Sequence, residues 1–95
     1  MMFKIQFMNV PYANANSFFK SEESSVVDAD IEVKETEKSQ IFAITLEDIG
    51  LKSLFGEFEI EKEKDSNFWR VDGTKGLDFV TLQYSIISAL ITEGY

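Results

Sequence analysis

Gly56-Glu-Phe-Glu-Ile-Glu-Lys-Glu-Lys-Asp-Ser-Asn-Phe-Trp-Arg-Val-Asp72 alternates apolar and acidic side chains, and that alternation decides the fold. Successive side chains of a β-strand point to opposite faces. Phe58 and Ile60 therefore share one face, and Glu57, Glu59, Glu61 and Glu63 share the other. Asp65, Ser66 and Asn67 supply turn chemistry, so the stretch reads as a hairpin. On the return strand Trp69 and Val71 point inward, while Phe68 and Arg70 join the glutamate side. Arg70 is placed to pair with a glutamate across the strands, for at most about 1 kcal/mol. Trp69 reads as core, and Phe68 as the exposed aromatic an interface would use. The same alternation sends Lys62 and Lys64 to the apolar side or beyond its edge.

Upstream segments repeat the pattern. In residues 26–35, Val27, Ala29, Ile31 and Val33 line one face and Asp28, Asp30, Glu32 and Lys34 the other. Thr36 to Ser39 has the length and polarity of a hairpin loop. In residues 40–47, Phe42, Ile44 and Leu46 point inward, and Ile41 and Ala43 opposite them suggest a central strand. Residues 3–10 place Phe3, Ile5 and Phe7 on one face and Lys4 and Gln6 on the other, with Pro11 ending the strand. Residues 12–25, rich in Asn and Ser, read as a loop that Phe18 and Phe19 pin to the core or expose as an aromatic anchor. Thr45 to Asp48 resembles a helix start, yet Gly50 and Gly56 limit its extension, so residues 45–55 are expected to form a short turn or bend.

The last segment is the convincing helix. Thr74 or Asp78 is placed to cap it, and Gly94 to end it. Leu77, Val80, Tyr84, Ile87 and Ile91 form one stripe, widened by Phe79, Leu82, Ile86 and Leu90. Asp78, Thr81, Ser85, Ser88 and Thr92 remain as a narrow polar strip. A helix apolar over most of its girth is buried on more than one side, against the sheet and against the 12–25 loop or a second subunit. The expected fold is α+β: one domain over residues 1–95, an antiparallel sheet of about five strands with one C-terminal helix packed on its inner face.

Composition narrows the chemistry. The 95 residues carry 17 acidic and nine basic side chains, for a net charge of −8. A non-specific nucleic-acid binder needs the opposite sign, and an anionic membrane would repel such a chain. With 44% hydrophobic residues and nine Phe, it is not a disordered acidic tail. There is no Cys and no His, which removes thiolate and imidazole ligands, nucleophiles and bases. Asp28-Ala-Asp-Ile-Glu32 has the spacing of a calcium loop without its glycine and distal glutamate. Gly73-Thr-Lys-Gly76 lacks the full phosphate-loop spacing. Neither an enzyme nor a metal or cofactor site is therefore expected. The N-terminus lacks the apolar run of a signal peptide, and Leu77 to Ile91 falls short of the roughly 20 residues of a membrane span. The reading is a soluble, cytoplasmic protein.

The charge is unevenly spread. Glu22 to Asp65 holds fourteen acidic and five basic residues, a net of −9; the rest of the chain, with three acidic and four basic, sums to +1. Glu57, Glu59, Glu61 and Glu63 form one row of carboxylates, and Asp28, Asp30 and Glu32 a second. If their strands neighbour, the two rows make a continuous anionic patch. Such a face suits a basic partner, although a charged outer face is also how antiparallel sheets stay soluble. The sequence supports two readings. In the first, the chain is a small acidic inhibitor, in the class of immunity proteins and phage anti-defence proteins by size and charge alone. It occupies the cationic cleft of a basic protein such as a nuclease through Asp28, Asp30, Glu32, Glu57, Glu59, Glu61, Glu63, Phe68 and Arg70. In the second, it is an assembly domain that homodimerises through the C-terminal helix around Ser85, and the acidic face only meets solvent.

Overall fold

The computed structural model describes residues 1–6 and 26–95. What the sequence suggests for residues 7–25, including the strand end at Pro11 and the anchoring of Phe18 and Phe19, lies outside the described residues. The elements in order are β1 (Met2–Gln6), β2 (Val26–Glu35), β3 (Ser39–Leu46), α1 (Ile49–Phe55), β4 (Phe58–Glu63), β5 (Trp69–Arg70) and α2 (Leu77–Thr92). The strands form one five-stranded sheet in the order β1-β2-β3-β4-β5, antiparallel throughout. This is the expected α+β architecture, with α2 laid over one face of the sheet.

Register follows from alternation. Phe3 opposes Ala29 and Ile5 opposes Val27. Ile31 opposes Ile44, and Val33 opposes Phe42. Phe42 in turn opposes Ile60, and Ile44 opposes Phe58. These inward positions are all apolar, so a slip of one residue would turn the whole set to solvent. Phe79, Leu82, Ile86, Ile87 and Leu90 of α2 complete the buried core. Aromatic rings fill its ends: Trp69 lies 5.3 Å from Phe42, and Phe55 and Phe58 lie 5.1 and 4.9 Å from Phe79.

Two local expectations need correction. Residues 49–55 form the helix α1, not a bend. The Asp48 carboxylate accepts from the Leu51 N–H at 2.9 Å, and Leu51 is fully buried. Together these outweigh the roughly 1 kcal/mol that Gly50 costs inside a helix. Gly56 closes α1 at a φ of 64°, a conformation that favours glycine. The second correction concerns the start of α2. Gly76 is its N-cap and no side chain caps it. Thr74 instead donates its N–H and its hydroxyl to the Asp72 carboxylate, at 2.9 and 2.5 Å.

The end of α2 follows the expected pattern. Gly94 has a φ of 102°. The Tyr95 N–H donates to Leu90 O and the Gly94 N–H to Ile91 O, a paired closure that turns the chain back. Tyr95 then packs edge-on against Phe42 at 5.3 Å.

The burial of α2 also differs from the simplest stripe. Leu77, Tyr84 and Ile91 are exposed, whereas Gln83 is only 1% exposed. Its side chain completes a backbone gap. Oε1 accepts from the Asp72 N–H at 2.9 Å, and Nε2 donates to Asp72 O at 2.9 Å and to Phe79 O at 3.2 Å. The chain therefore leaves β5 after Arg70, and the backbone of Asp72 finds its partners on the helix.

Candidate functional site: an acidic sheet face

Alternation brings the candidate charged residues carried by strands to the outer face, away from α2, while Glu57 stands in the bend just ahead of β4. The ladder registers fix their mutual positions. Lys4 opposes Asp28, and Met2 opposes Asp30. Asp30 opposes Thr45, Glu32 opposes Ala43, and Lys34 opposes Ile41. Across β3, Ala43 opposes Glu59, Ile41 opposes Glu61, and Ser39 opposes Glu63. Glu61 then opposes Arg70 on β5.

The two carboxylate rows thus do not neighbour each other, contrary to the continuous patch the sequence suggested. β3 runs between them. Each inter-strand step is about 4.7–4.9 Å, so the rows stand about 9.4–9.8 Å apart. The strip between them is Ile41, Ala43 and Thr45, half-buried and uncharged. This uncharged strip is the floor of the face, flanked by the two acidic rows, with Lys34 standing in the β2 row opposite Ile41. Glu57 extends one rim from a bend just ahead of β4.

The rims are partly neutralised. Lys4 reaches Asp28 at 3.2 Å and the amino group of Met1 reaches Asp30 at 2.9 Å. Arg70 bonds two glutamates, Glu61 at 3.2 Å and Glu63 at 2.6 Å, where one partner was expected. Ser39 also donates to Glu61 at 3.3 Å. Lys34 on β2 reaches Glu59 on β4 at 3.9 Å, so this pair crosses the outer face of β3. Among the described residues, Glu32 and Glu57 have no ion-pair partner. Phe68 is 56% exposed beside Arg70, at the far side of the face from Asp28.

Lys62 and Lys64 take the opposite side, as alternation requires. Lys62 Nζ donates to Tyr95 O and lies 5.2 Å from the centre of the Trp69 ring. Lys64 pairs with Glu35 at 3.2 Å. Hydrogen bonds from Gln40 and from Lys64, with the lysine charge, hold the Glu35 carboxyl below its ordinary range. Asp72 is lowered by the hydroxyl and backbone N–H of Thr74.

Among the described residues, no group of three or more acidic, His or Cys side chains is placed to hold a metal ion. No helix among them is long and apolar enough to cross a membrane. A half-open cavity of about 490 Å³ lies between β1 and α2, bordered by Lys4, Gln6, Ser85, Ser88 and Glu93, well apart from Glu59. Ser85, on which a helix-mediated dimer would turn, is 1% exposed and donates to Thr81 O at 2.9 Å. It is packed within its own chain.

Two contributors escaped sequence reasoning. Gln83 looked like a polar interruption, and only its lone amide in an apolar helix signalled a buried role. Lys34 was legible as a base in an acidic row, but its reach over β3 depends on strand order. Comparison with family models, with curated proteins and with solved structures finds no match to this chain.

Proposed function

We propose that this protein is a small acidic inhibitor that binds a basic, nucleic-acid-handling protein, such as a nuclease, through the outer face of its sheet. The observation that carries the reading is the segregation of charge. Six carboxylates (Asp28, Asp30, Glu32, Glu59, Glu61 and Glu63) share this face with three side-chain cations (Lys4, Lys34 and Arg70) and the Met1 amino group, which leaves two excess negative charges on it, with Glu57 adding a third from the bend ahead of β4. A patch of one sign steers an oppositely charged partner and fixes its orientation more than it adds raw affinity. Phe68 supplies an exposed aromatic contact at the rim, and Arg70 orients the glutamates beside it. The role is binding, in the cytoplasm, without a cofactor.

The test is affinity capture from the native host with the wild-type chain and with a Glu57→Lys, Glu59→Lys, Glu61→Lys triple variant. A basic nucleic-acid-handling protein should be retained by the wild type and lost by a folded triple variant. Retention by both ends the reading.

A further inference from the structure

We infer that the segment this face receives is an extended, arginine- or lysine-bearing strand of the partner, lying along β3 over the uncharged strip between the carboxylate rows. The inference rests on the proposed function and specifies its occupant. Its first support is a cation that already crosses this strip. Lys34 and Glu59 sit on strands separated by β3 and are nonetheless within 3.9 Å of each other. The lysine side chain therefore crosses above the floor at Ile41 and Ala43. The pair is loose, with the two side chains 61% and 58% exposed, so an incoming base can displace it.

Spacing supplies the second support. Along each rim the carboxylates repeat every second residue, at about 6.6–6.8 Å. Alternate side chains of an extended partner repeat at the same distance, so bases at every second position stay in step with the rims. A helix presents its face once per turn, about 5.4 Å, and loses more than 1 Å of register at each step. The third support is the floor. Ala43 lies between Glu32 and Glu59 in one cross-strand row. A methyl there leaves room for an alkyl stem to lie flat while its charged end reaches a rim. Glu32, without an ion-pair partner among the described residues, is the carboxylate such a base would meet first.

The experiment uses two synthetic peptides of equal charge on the full chain, read by fluorescence anisotropy. One is an octapeptide alternating arginine and threonine; the other is a helix-forming alanine peptide with arginine at every fourth position. The alternating peptide should bind at least tenfold more tightly. Ala43→Met, which fills the floor without changing charge, should weaken it at least tenfold. Lys34→Ala should tighten it more than Lys38→Ala, which removes the same charge from the hairpin loop. Equal binding of the two peptides, or an Ala43→Met affinity within twofold of wild type, overturns the inference. So does an equal response to Lys34→Ala and Lys38→Ala, which stands as the test if Ala43→Met does not fold. Where Ala43→Met binds normally but the triple glutamate reversal still loses the captured protein, the seat along β3 is wrong and the acidic face stands. Where the triple reversal also changes nothing, both fail.

Discussion

On the inner face Phe42 sits between Val33 and Ile60 with Trp69 and Tyr95 against its ring; one residue along, Ala43 sits half-buried between Glu32 and Glu59 on the outer face. The two neighbours belong to the same strand and obey opposite physics. Around Phe42, burial is non-directional and scales with the apolar surface removed from water. Around Ala43, the forces are ion pairs between exposed side chains, each screened by salt and worth little to stability. The inner face therefore holds the fold, and the outer face is free to be shaped by what it meets.

The sharpest way to break that contrast is to empty the inner face. Phe42→Ala should cost about 3–5 kcal/mol, read as a fall in the urea midpoint with an unchanged slope. A loss below about 1 kcal/mol would show that the sheet does not depend on this contact. Next in size is Gln83→Ala. It removes the hydrogen bonds to the N–H and C=O of the exposed Asp72 and should cost about 1–2 kcal/mol in thermal unfolding followed by circular dichroism. Asp48→Ala removes the cap of α1 and should cost about 1 kcal/mol by the same measure.

The outer face should respond far less. Arg70→Gln breaks pairs to two glutamates, yet should cost under about 1 kcal/mol, and less at high salt. A larger loss would make Arg70 part of the scaffold. The smallest effect is in acid. Glu35 and Asp72 are held below their ordinary carboxylate values by their hydrogen-bond donors. A depressed folded value stabilises the protein above the unfolded value and is lost as pH falls through the folded one. The contribution of these two groups should therefore be level from neutral down to about pH 4.5 and decline below it. Glu35→Gln and Asp72→Asn together should flatten that decline in urea titrations. An unchanged acid limb would assign it to other carboxylates.

The same contrast explains what was legible in the sequence. Alternation alone assigned Phe42, Ile44, Leu46 and Ile60 to one face, and Asp28, Asp30, Glu32, Glu59, Glu61 and Glu63 to the other, because a strand has a period of two. It could not order the strands, and so could not separate the carboxylate rows with Ile41, Ala43 and Thr45. Helix α1 escaped because Gly50 weakens the local signal, while the decisive term, the burial of Leu51, is tertiary. In α2 the apolar residues run almost all the way round, so periodicity could not choose Phe79, Leu82, Ile86 and Leu90 over Leu77, Tyr84 and Ile91. Gln83 was hidden for a related reason. Its partner, the backbone of Asp72, has no side-chain signature.

Strand order has a consequence for how this chain comes together. Each strand pairs with its neighbour in sequence, and the β2–β3 and β4–β5 connections are short. Those ladders need little loop closure and can form early. The helix lies nearest β1, so the last element must find the first. Until it does, Ile31, Phe42, Ile44 and Ile60 lack the apolar side chains of α2 that bury them. A chain still emerging from the ribosome, or cut ahead of Leu77, lacks the α2 share of that cover, and self-association is the hazard it faces.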